Sequence, residues 1–302
     1  MTVDVSVIVP TFQRAALLDR CLTALSVAGA SCAYEVVVVD DGSTDSTGDV
    51  LDRHLGRLPL TALRQPKNAG PAAARNRGLS ESRGALVLFV DDDVVAAPDL
   101  LSRHLALHQA AADEQLAVLG RVDWHPDLRV TPFMRWLDRS GLQFAYDTWL
   151  QEGPVVPPYA AFYTANLSLP RRLLEAVGGF DERFPFPAYE DMELAHRLTA
   201  RGLRMVYRPE ALAWHARPID LATFRRRMAM VSTSAALLRE AAPDFPLEDD
   251  HLLHHDRRRR ERWRLAARAF VTRSDEHRAE HYWAQIGHAY AAARATVSPG
   301  TA

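Results

Sequence analysis

The sequence predicts an α/β fold built on a mostly parallel sheet, and two observations carry that expectation. Short β-branched runs alternate with helix-periodic segments through the first ~120 residues. The apolar run Leu86-Val87-Leu88-Phe89-Val90 then passes directly into Asp91-Asp92-Asp93. Such a run has the composition of a strand buried on both faces. The acids begin where that strand leaves the sheet, the end that faces the ligand crevice in open α/β folds. Three adjacent like charges are costly unless something positive neutralises them. A divalent cation bound to a phosphorylated ligand would do so; a solvated acidic turn is the plainer alternative.

Taken in order, residues 3–10 read as a first strand, and residues 14–28 place Leu17, Leu18, Cys21, Leu22 and Leu25 at helical spacing. Residues 34–39 form a second strand that ends in Asp40-Asp41-Gly42-Ser43-Thr44-Asp45. Ser43 or Thr44 is expected to cap the next helix, which carries Val50, Leu51, His54 and Leu55 on one side. Residues 60–64 are a short third strand. Gly70-Pro71 opens a helix to about Ser82, with proline in the first turn, where its missing N–H costs nothing. Residues 85–90 are the fourth strand, 98–112 a helix and 116–122 a strand. Residues 123–160, rich in proline and aromatics, break the alternation and are expected to run as irregular loops over the open side of the sheet. A strand over 163–169, a short helix opened by Pro170, a turn at Gly178-Gly179-Phe180-Asp181 and a helix over about 189–201 closed by Gly202 follow. Residues 203–207 and 211–215 read as two short strands, and from about 216 the pattern is helical and rich in arginine.

At 302 residues and 48% hydrophobic, the chain can bury a large core in one large or two moderate domains. A net charge of −2 gives no bulk attraction for nucleic acid. Two cysteines, Cys21 and Cys32, imply no disulfide framework and suit a reducing compartment. The N-terminus enters a strand with no charged and apolar leader, and no apolar run approaches the ~18–20 residues that span a bilayer. These features point to the cytoplasm. No G-x-G-x-x-G follows the first strand and no G-x-x-x-x-G-K-[ST] occurs, which argues against dinucleotide dehydrogenases and P-loop enzymes. Phosphate must be held another way, which favours a metal on the acidic triplet.

The ordered set Val7-Ile8-Val9-Pro10-Thr11, Val38-Val39-Asp40-Asp41-Gly42-Ser43-Thr44-Asp45, Asn68-Ala69-Gly70-Pro71-Ala72-Ala73-Ala74-Arg75-Asn76, Asp91-Asp92-Asp93, Ala165-Asn166, Gly178-Gly179-Phe180-Asp181 and Glu190-Asp191 resembles the family 2 glycosyltransferases of the GT-A fold. The match covers roughly residues 3–215. The resemblance implies a Rossmann-like sheet flanked by helices, with residues 1–122 as the nucleotide-sugar-binding half, 123–215 as the acceptor and catalytic half, and 216–302 as a C-terminal helical extension. It implies transfer of one sugar from a nucleotide-diphosphate sugar, UDP or dTDP favoured, to an acceptor hydroxyl, with Mn²⁺ or Mg²⁺. Asp93 matches the metal-binding acid, Asp91 and Asp92 would help hold ribose and metal, and His215 sits where a later metal ligand is expected, unless it only closes a strand. Asp41 matches the acid that reads the nucleobase edge. Pro10, Thr11 and Arg14 would line the nucleotide pocket, and Arg75 would meet phosphate, unless it lies on a solvated helix face; Lys67 could reach the same pocket. Asp191 matches the general base, with Glu190 beside it, unless both merely cap a helix. Asn166, Gly179, Phe180 and Trp214 fall on the acceptor side.

The chain departs from the family pattern where the first loop carries Gln13 in place of the usual Asn. It also lacks Gln-x-x-Arg-Trp at Arg135-Trp136, as well as membrane helices, so single transfer is expected rather than polymer synthesis. A sugar-1-phosphate nucleotidyltransferase would show a glycine-rich loop after the first strand, and Pro10-Thr11-Phe12-Gln13-Arg14 has no glycine. A non-catalytic nucleotide-sugar-binding protein is the third reading. The arginines beyond residue 216 could meet an anionic membrane surface, placing the protein peripherally on its inner face, or an acidic partner; a solvated helical cap is the alternative.

Overall fold

Residues 3–29, 32–111, 113–247 and 250–296 are described by the computed structural model. Its first half follows the alternation in the sequence. β1 (Val5–Thr11) leads through α1 (Ala15–Ala28) to β2 (Tyr34–Asp40), and α2 (Thr47–His54) leads to β3 (Leu60–Arg64). α3 (Pro71–Glu81) returns the chain to β4 (Leu86–Val90). These strands are parallel, in the order β3-β2-β1-β4. Val36, Val37, Val38 and Val39 are all fully buried, which is why β2 shows no polar alternation. The chain steps outward from β1 to β3 and then crosses back to the far side of β1. Right-handed crossovers in opposite directions put α3 on the other face from α1 and α2. The reversal opens a crevice between the ends of β1 and β4, the place where ligands bind in such sheets.

Beyond β4 the sheet becomes mixed. β5 (Val94–Ala96), α4 (Leu100–Ala111), β6 (Leu116–Trp124), α5 (Pro132–Ser140), β7 (Gly153–Pro154), a 3₁₀ turn (Pro158–Ala161), β8 (Asn166–Pro170), α6 (Arg171–Ala176), α7 (Glu190–Thr199) and β9 (Arg204–His215) follow in order. β8 runs antiparallel to both β4 and β6, while β9 is parallel to β6 and antiparallel to β5 and β7. The parallel arrangement therefore holds for β3-β2-β1-β4 and for β6-β9.

Several local expectations change. The stretch 123–160 is not all loop, because it contains α5. Thr131 Oγ1 accepts from Met134 N at 3.2 Å, Pro132 takes the first helical position and Gly141 closes the helix at φ 70°. A proline at that position favours a helix start rather than breaking it. The cap of α2 is Ser46, not Ser43 or Thr44: Ser43 Oγ instead accepts from Gln13 N at 2.9 Å, and Asp45 accepts from Thr47 N at 3.1 Å. Leu55 falls beyond the helix and is 50% exposed. Gly202 closes α7 as expected, with Leu203 N donating to Leu198 O and Gly202 N to Thr199 O.

The two strands expected after Gly202 are one strand, β9, carrying a bulge. Its register against β6 jumps from Gly120↔Arg208 to Arg121↔Leu212. Asn166 fills the bulge: its Nδ2 donates to Ala211 O at 2.8 Å and to Arg121 O at 3.0 Å, and its Oδ1 accepts from His104 Nε2 at 2.9 Å. A Cβ at Gly120 would run into Ala211 O and the Asn166 amide, so only glycine fits there. Asn166→Leu would leave two carbonyls and an imidazole N–H buried without partners, and is expected to cost about 3 kcal/mol by denaturant unfolding. An unchanged unfolding midpoint would remove Asn166 from this role.

The C-terminal helices are α8 (Leu221–Ala241), α9 (Asp250–Leu253), α10 (Arg259–Thr272) and α11 (Asp275–Arg294). Phe224 and Met228 of α8 and Ile286 and Tyr290 of α11 share a hydrophobic cluster with Phe133 and Leu137 of α5 and with Ala188. Residues beyond 216 are thus packed directly against the segment that precedes α7. Among the described residues no helix is long and apolar enough to cross a membrane.

Candidate functional site

The end of β4 splits its three carboxylates between two environments. Asp92 and Asp93 are each 3% exposed, while the Asp91 side chain turns partly outward. Thr11 Oγ1 donates to Asp92 Oδ2 at 2.8 Å, and Arg14 Nη1 reaches Asp92 Oδ1 at 2.8 Å and Asp93 Oδ2 at 3.2 Å. Arg217 Nε donates to Asp93 Oδ2 at 2.9 Å. Burial raises Asp92 to about 6 against the pull of Arg14. At Asp93 burial is outweighed by His215, Arg14 and Arg217, and it falls to about 2.

His215 Nδ1 donates to Arg217 O at 2.9 Å, which turns Nε2 toward Asp93 Oδ2 at 3.6 Å. With Nδ1–H committed to a carbonyl, Nε2 of a neutral ring is an acceptor facing another acceptor. A proton or a cation between its atoms would satisfy such a pair. A divalent ion that takes one or two protein ligands and completes its shell with phosphate oxygens and water fits this donor set. Asp91 Oδ1 is held by Arg75 Nη2 at 3.0 Å, and among the described residues no three His, Cys, Asp or Glu side chains converge as a metal cage.

Arg75 lies in α3, 3% exposed rather than on a solvated helix face. Its Nη2 binds Asp91 and its Nη1 donates to Glu190 Oε1 at 2.9 Å, over the ring of Phe180 at 5.6 Å. One guanidinium thus ties the end of β4 to the start of α7. Both terminal nitrogens lie on carboxylates, while Nε is buried without a partner among the described residues. Glu190 is buried, its Oε2 has no partner among the described residues, and burial raises its pKa. Asp191 follows in the first turn of α7, with Oδ1 accepting from Met192 N at 2.8 Å. Burial and then the charge of Glu190 push Asp191 up to about 7, against Arg75 and the helix start.

Asp41 accepts from Gln65 Nε2 and from the backbone of Ala69 and Gly70, each at 2.8 Å, and so shapes the loop that leads into α3. Its Oδ2 accepts one of these bonds and keeps room for another donor. Gln13, the departure from the family pattern, sits at φ 56° with Oε1 accepting from Thr44 N at 3.3 Å and Asp45 N at 3.1 Å, which clasps the loop between β2 and α2 to the end of β1. Pro10 is half-buried beside Thr11, and Lys67 is exposed.

The residues expected on the acceptor side are mostly structural. All the polar atoms of the Asn166 side chain are engaged in the β9 bulge. Gly179 has φ 74° and sits against Asn76, where a Cβ would collide with Oδ1. Asn76 in turn closes on both N and O of Phe180. Phe180 is 3% exposed against Phe89 and Arg75, so it supports the arginine. Trp214 alternates with His215 along β9 and therefore faces away from Asp93, toward His125 at 6.1 Å.

Other residues shape the site without having been expected there. Arg217 was hidden in a run read as tail, two positions after His215. Arg227 of α8 brings a guanidinium whose Nε is buried without a partner among the described residues; burial lowers its pKa, and Glu190, Asp191 and Asp91 lie within its field. Three consecutive arginines gave no hint of which one turns inward. Beside His215 opens a cleft walled by Trp124, Phe144 and Tyr146 and edged by Asp123, Asp138 and Asp147. Trp124 Nε1 lies 3.0 Å from both oxygens of Asp138.

A family model described as "Glycosyl transferase family 2" matches residues 6–168, more than half of the chain. The chain belongs to this family. Among its relatives, a validoxylamine A glucosyltransferase of Streptomyces hygroscopicus subsp. jinggangensis is 35% identical over 227 residues, covering 68% of this chain and 54% of the relative. A pre-mycofactocin glycosyltransferase of Mycobacterium tuberculosis is 31% identical over 245 residues, covering 80% of this chain and 48% of the relative. The chain spans about half the length of these family members. A mannosyltransferase from Pyrobaculum calidifontis, solved in complex with GDP-Man and Mn²⁺, superposes with a TM-score of 0.63 at 22% identity, covering 99% of this chain and 89% of that one. That likeness establishes the fold as GT-A.

Proposed function

We propose that the protein transfers a single sugar from a nucleotide-diphosphate sugar to an acceptor hydroxyl, with inversion at the anomeric carbon. The observation that carries this is the Arg75 bridge between Asp91 and Glu190. It ties the acidic end of β4 to the start of α7, so the acids suited to the leaving-group side and those suited to the base share one ion-pair network.

Asp41, with its spare acceptor capacity, is suited to the N–H edge of a uracil or thymine. Asp93 and His215 would hold Mn²⁺ or Mg²⁺; the ion, when bound, supplies positive charge against the departing diphosphate. Arg14 and Arg217, already on Asp93, add to that positive field. Asp191 takes the proton of the attacking hydroxyl, and its raised pKa suits a base working near neutrality. One displacement with one base gives inversion. The aromatic and acidic cleft beside His215 is where a hydroxylated acceptor would enter. Family membership and the glucosyltransferase relative support the reading.

Thermal unfolding with UDP, dTDP, GDP and ADP, each with and without Mn²⁺, tests it. A ligand at ~100 times its dissociation constant adds ~2.7 kcal/mol, a shift of several degrees. The expected result is a metal-dependent shift with a uridine or thymidine diphosphate that Asp93→Ala abolishes. No shift with any nucleotide would defeat the proposal.

A further inference from the structure

α10 carries apolar side chains that no core covers. Trp263 is 69% exposed, Phe270 77% and Val271 78%. At 100° per residue they fall on one side of the helix, since Trp263 and Phe270 are seven residues apart and Val271 lies next to Phe270 around the circumference. Arg259, Arg260, Arg264 and Arg268 lie on the same half of the helix, all exposed. Among the described residues, Arg268 is the one of these four with an ion pair, to Glu280 at 3.5 Å. The opposite side, at Ala269, is buried. The helix is therefore fixed by one narrow seam and presents an aromatic stripe framed by cations.

We propose that this face of α10 docks on an anionic lipid surface, with Trp263 and Phe270 entering the headgroup boundary and the four arginines meeting lipid phosphates. A helix lying in the interface has this make-up: aromatic anchors on one arc, arginines flanking them, and too few apolar residues to span. Charge decides the occupant. A second copy of this chain would bring arginine against arginine across a two-fold contact. A neutral apolar partner would leave the cations unpaired. An anionic bilayer satisfies both the stripe and its frame, and each arginine near such a surface contributes on the order of a fivefold gain in affinity. The inference rests on α10 alone and stands whether or not the transferase reading does.

Co-sedimentation of the full chain with vesicles of phosphatidylcholine alone, and with about a third phosphatidylglycerol, tests it, together with tryptophan emission. The expected result is binding to the anionic vesicles only, weakening as salt rises, with a blue shift of emission that is lost in Trp263→Ala. Arg260→Ser with Arg264→Ser should weaken binding roughly 20-fold or more, and Phe270→Ser should weaken it without altering the melting temperature. These are surface changes, so the fold survives and nucleotide binding is unaffected. Equal binding to both vesicles, binding to neither, or a dimer in solution that Trp263→Ala dissociates would each overturn the proposal.

Discussion

Replacing Asp191 with Asn is expected to lower kcat by about 10²- to 10⁴-fold while leaving nucleotide affinity in place. The amide preserves the bond from Met192 N but cannot take a proton from the acceptor. The pH profile gives a second, independent readout. In the wild-type protein, kcat/KM should climb tenfold per pH unit up to about 7 and then level, because burial and the charge of Glu190 hold Asp191 protonated below that point. The Asn variant should lose this limb. Stability should move the other way. A carboxyl whose folded pKa is raised from 3.8 to about 7 stabilises the fold at low pH, and that contribution disappears as pH climbs through about 7. Asp191→Asn does not titrate, so its melting temperature should exceed the wild type's by a few degrees at pH 8, with the gap narrowing toward pH 4. A variant with normal turnover would pass the base to Glu190 or dismiss the mechanism; a flat wild-type profile would mean that Asp191 does not titrate near neutrality.

What could be read beforehand divides along the line between local and long-range information. The order of strands and helices in residues 5–90 was legible because each element declares itself in its own residues: valine runs in β1 and β2, Pro71 at the start of α3, Gly202 at the end of α7. The single strand β9 was read as two because a bulge interrupts periodicity, and only Asn166, far away in sequence, makes that bulge tolerable. α5 was missed because proline is a breaker inside a helix and a starter at its first position. The acids of the site were legible as types in order. Their pairing was not, since Arg75, Arg217 and Arg227 are three of many arginines, and burial between carboxylates separated by about 100 residues in sequence leaves no local trace.

That pairing has a consequence that separates structure from ligand binding at Arg75. Arg75→Met would leave Asp91 Oδ1 and buried Glu190 Oε1 without their cation, while Glu190 Oε2 already lacks a partner among the described residues. Removing one member of a buried ion pair costs about 3–5 kcal/mol, so the melting temperature should fall on the order of 10 °C in the absence of any nucleotide. The sign of the pH dependence follows from the same charges. Without Arg75 the folded-state pKa of Glu190 rises above its already raised position, so the variant recovers stability as pH falls and Glu190 protonates, and loses it as pH rises. The deficit should therefore be smaller at pH 5 than at pH 8. Arg75→Lys should recover only part of the loss, since one ammonium cannot span two carboxylates as a planar guanidinium does. If Arg75 were chiefly a phosphate contact, Arg75→Met would instead leave the apoprotein as stable as the wild type and weaken only nucleotide binding. An unchanged melting curve would break the bridge on which the placement of β4 against α7 depends, and with it the strongest support for a single catalytic crevice.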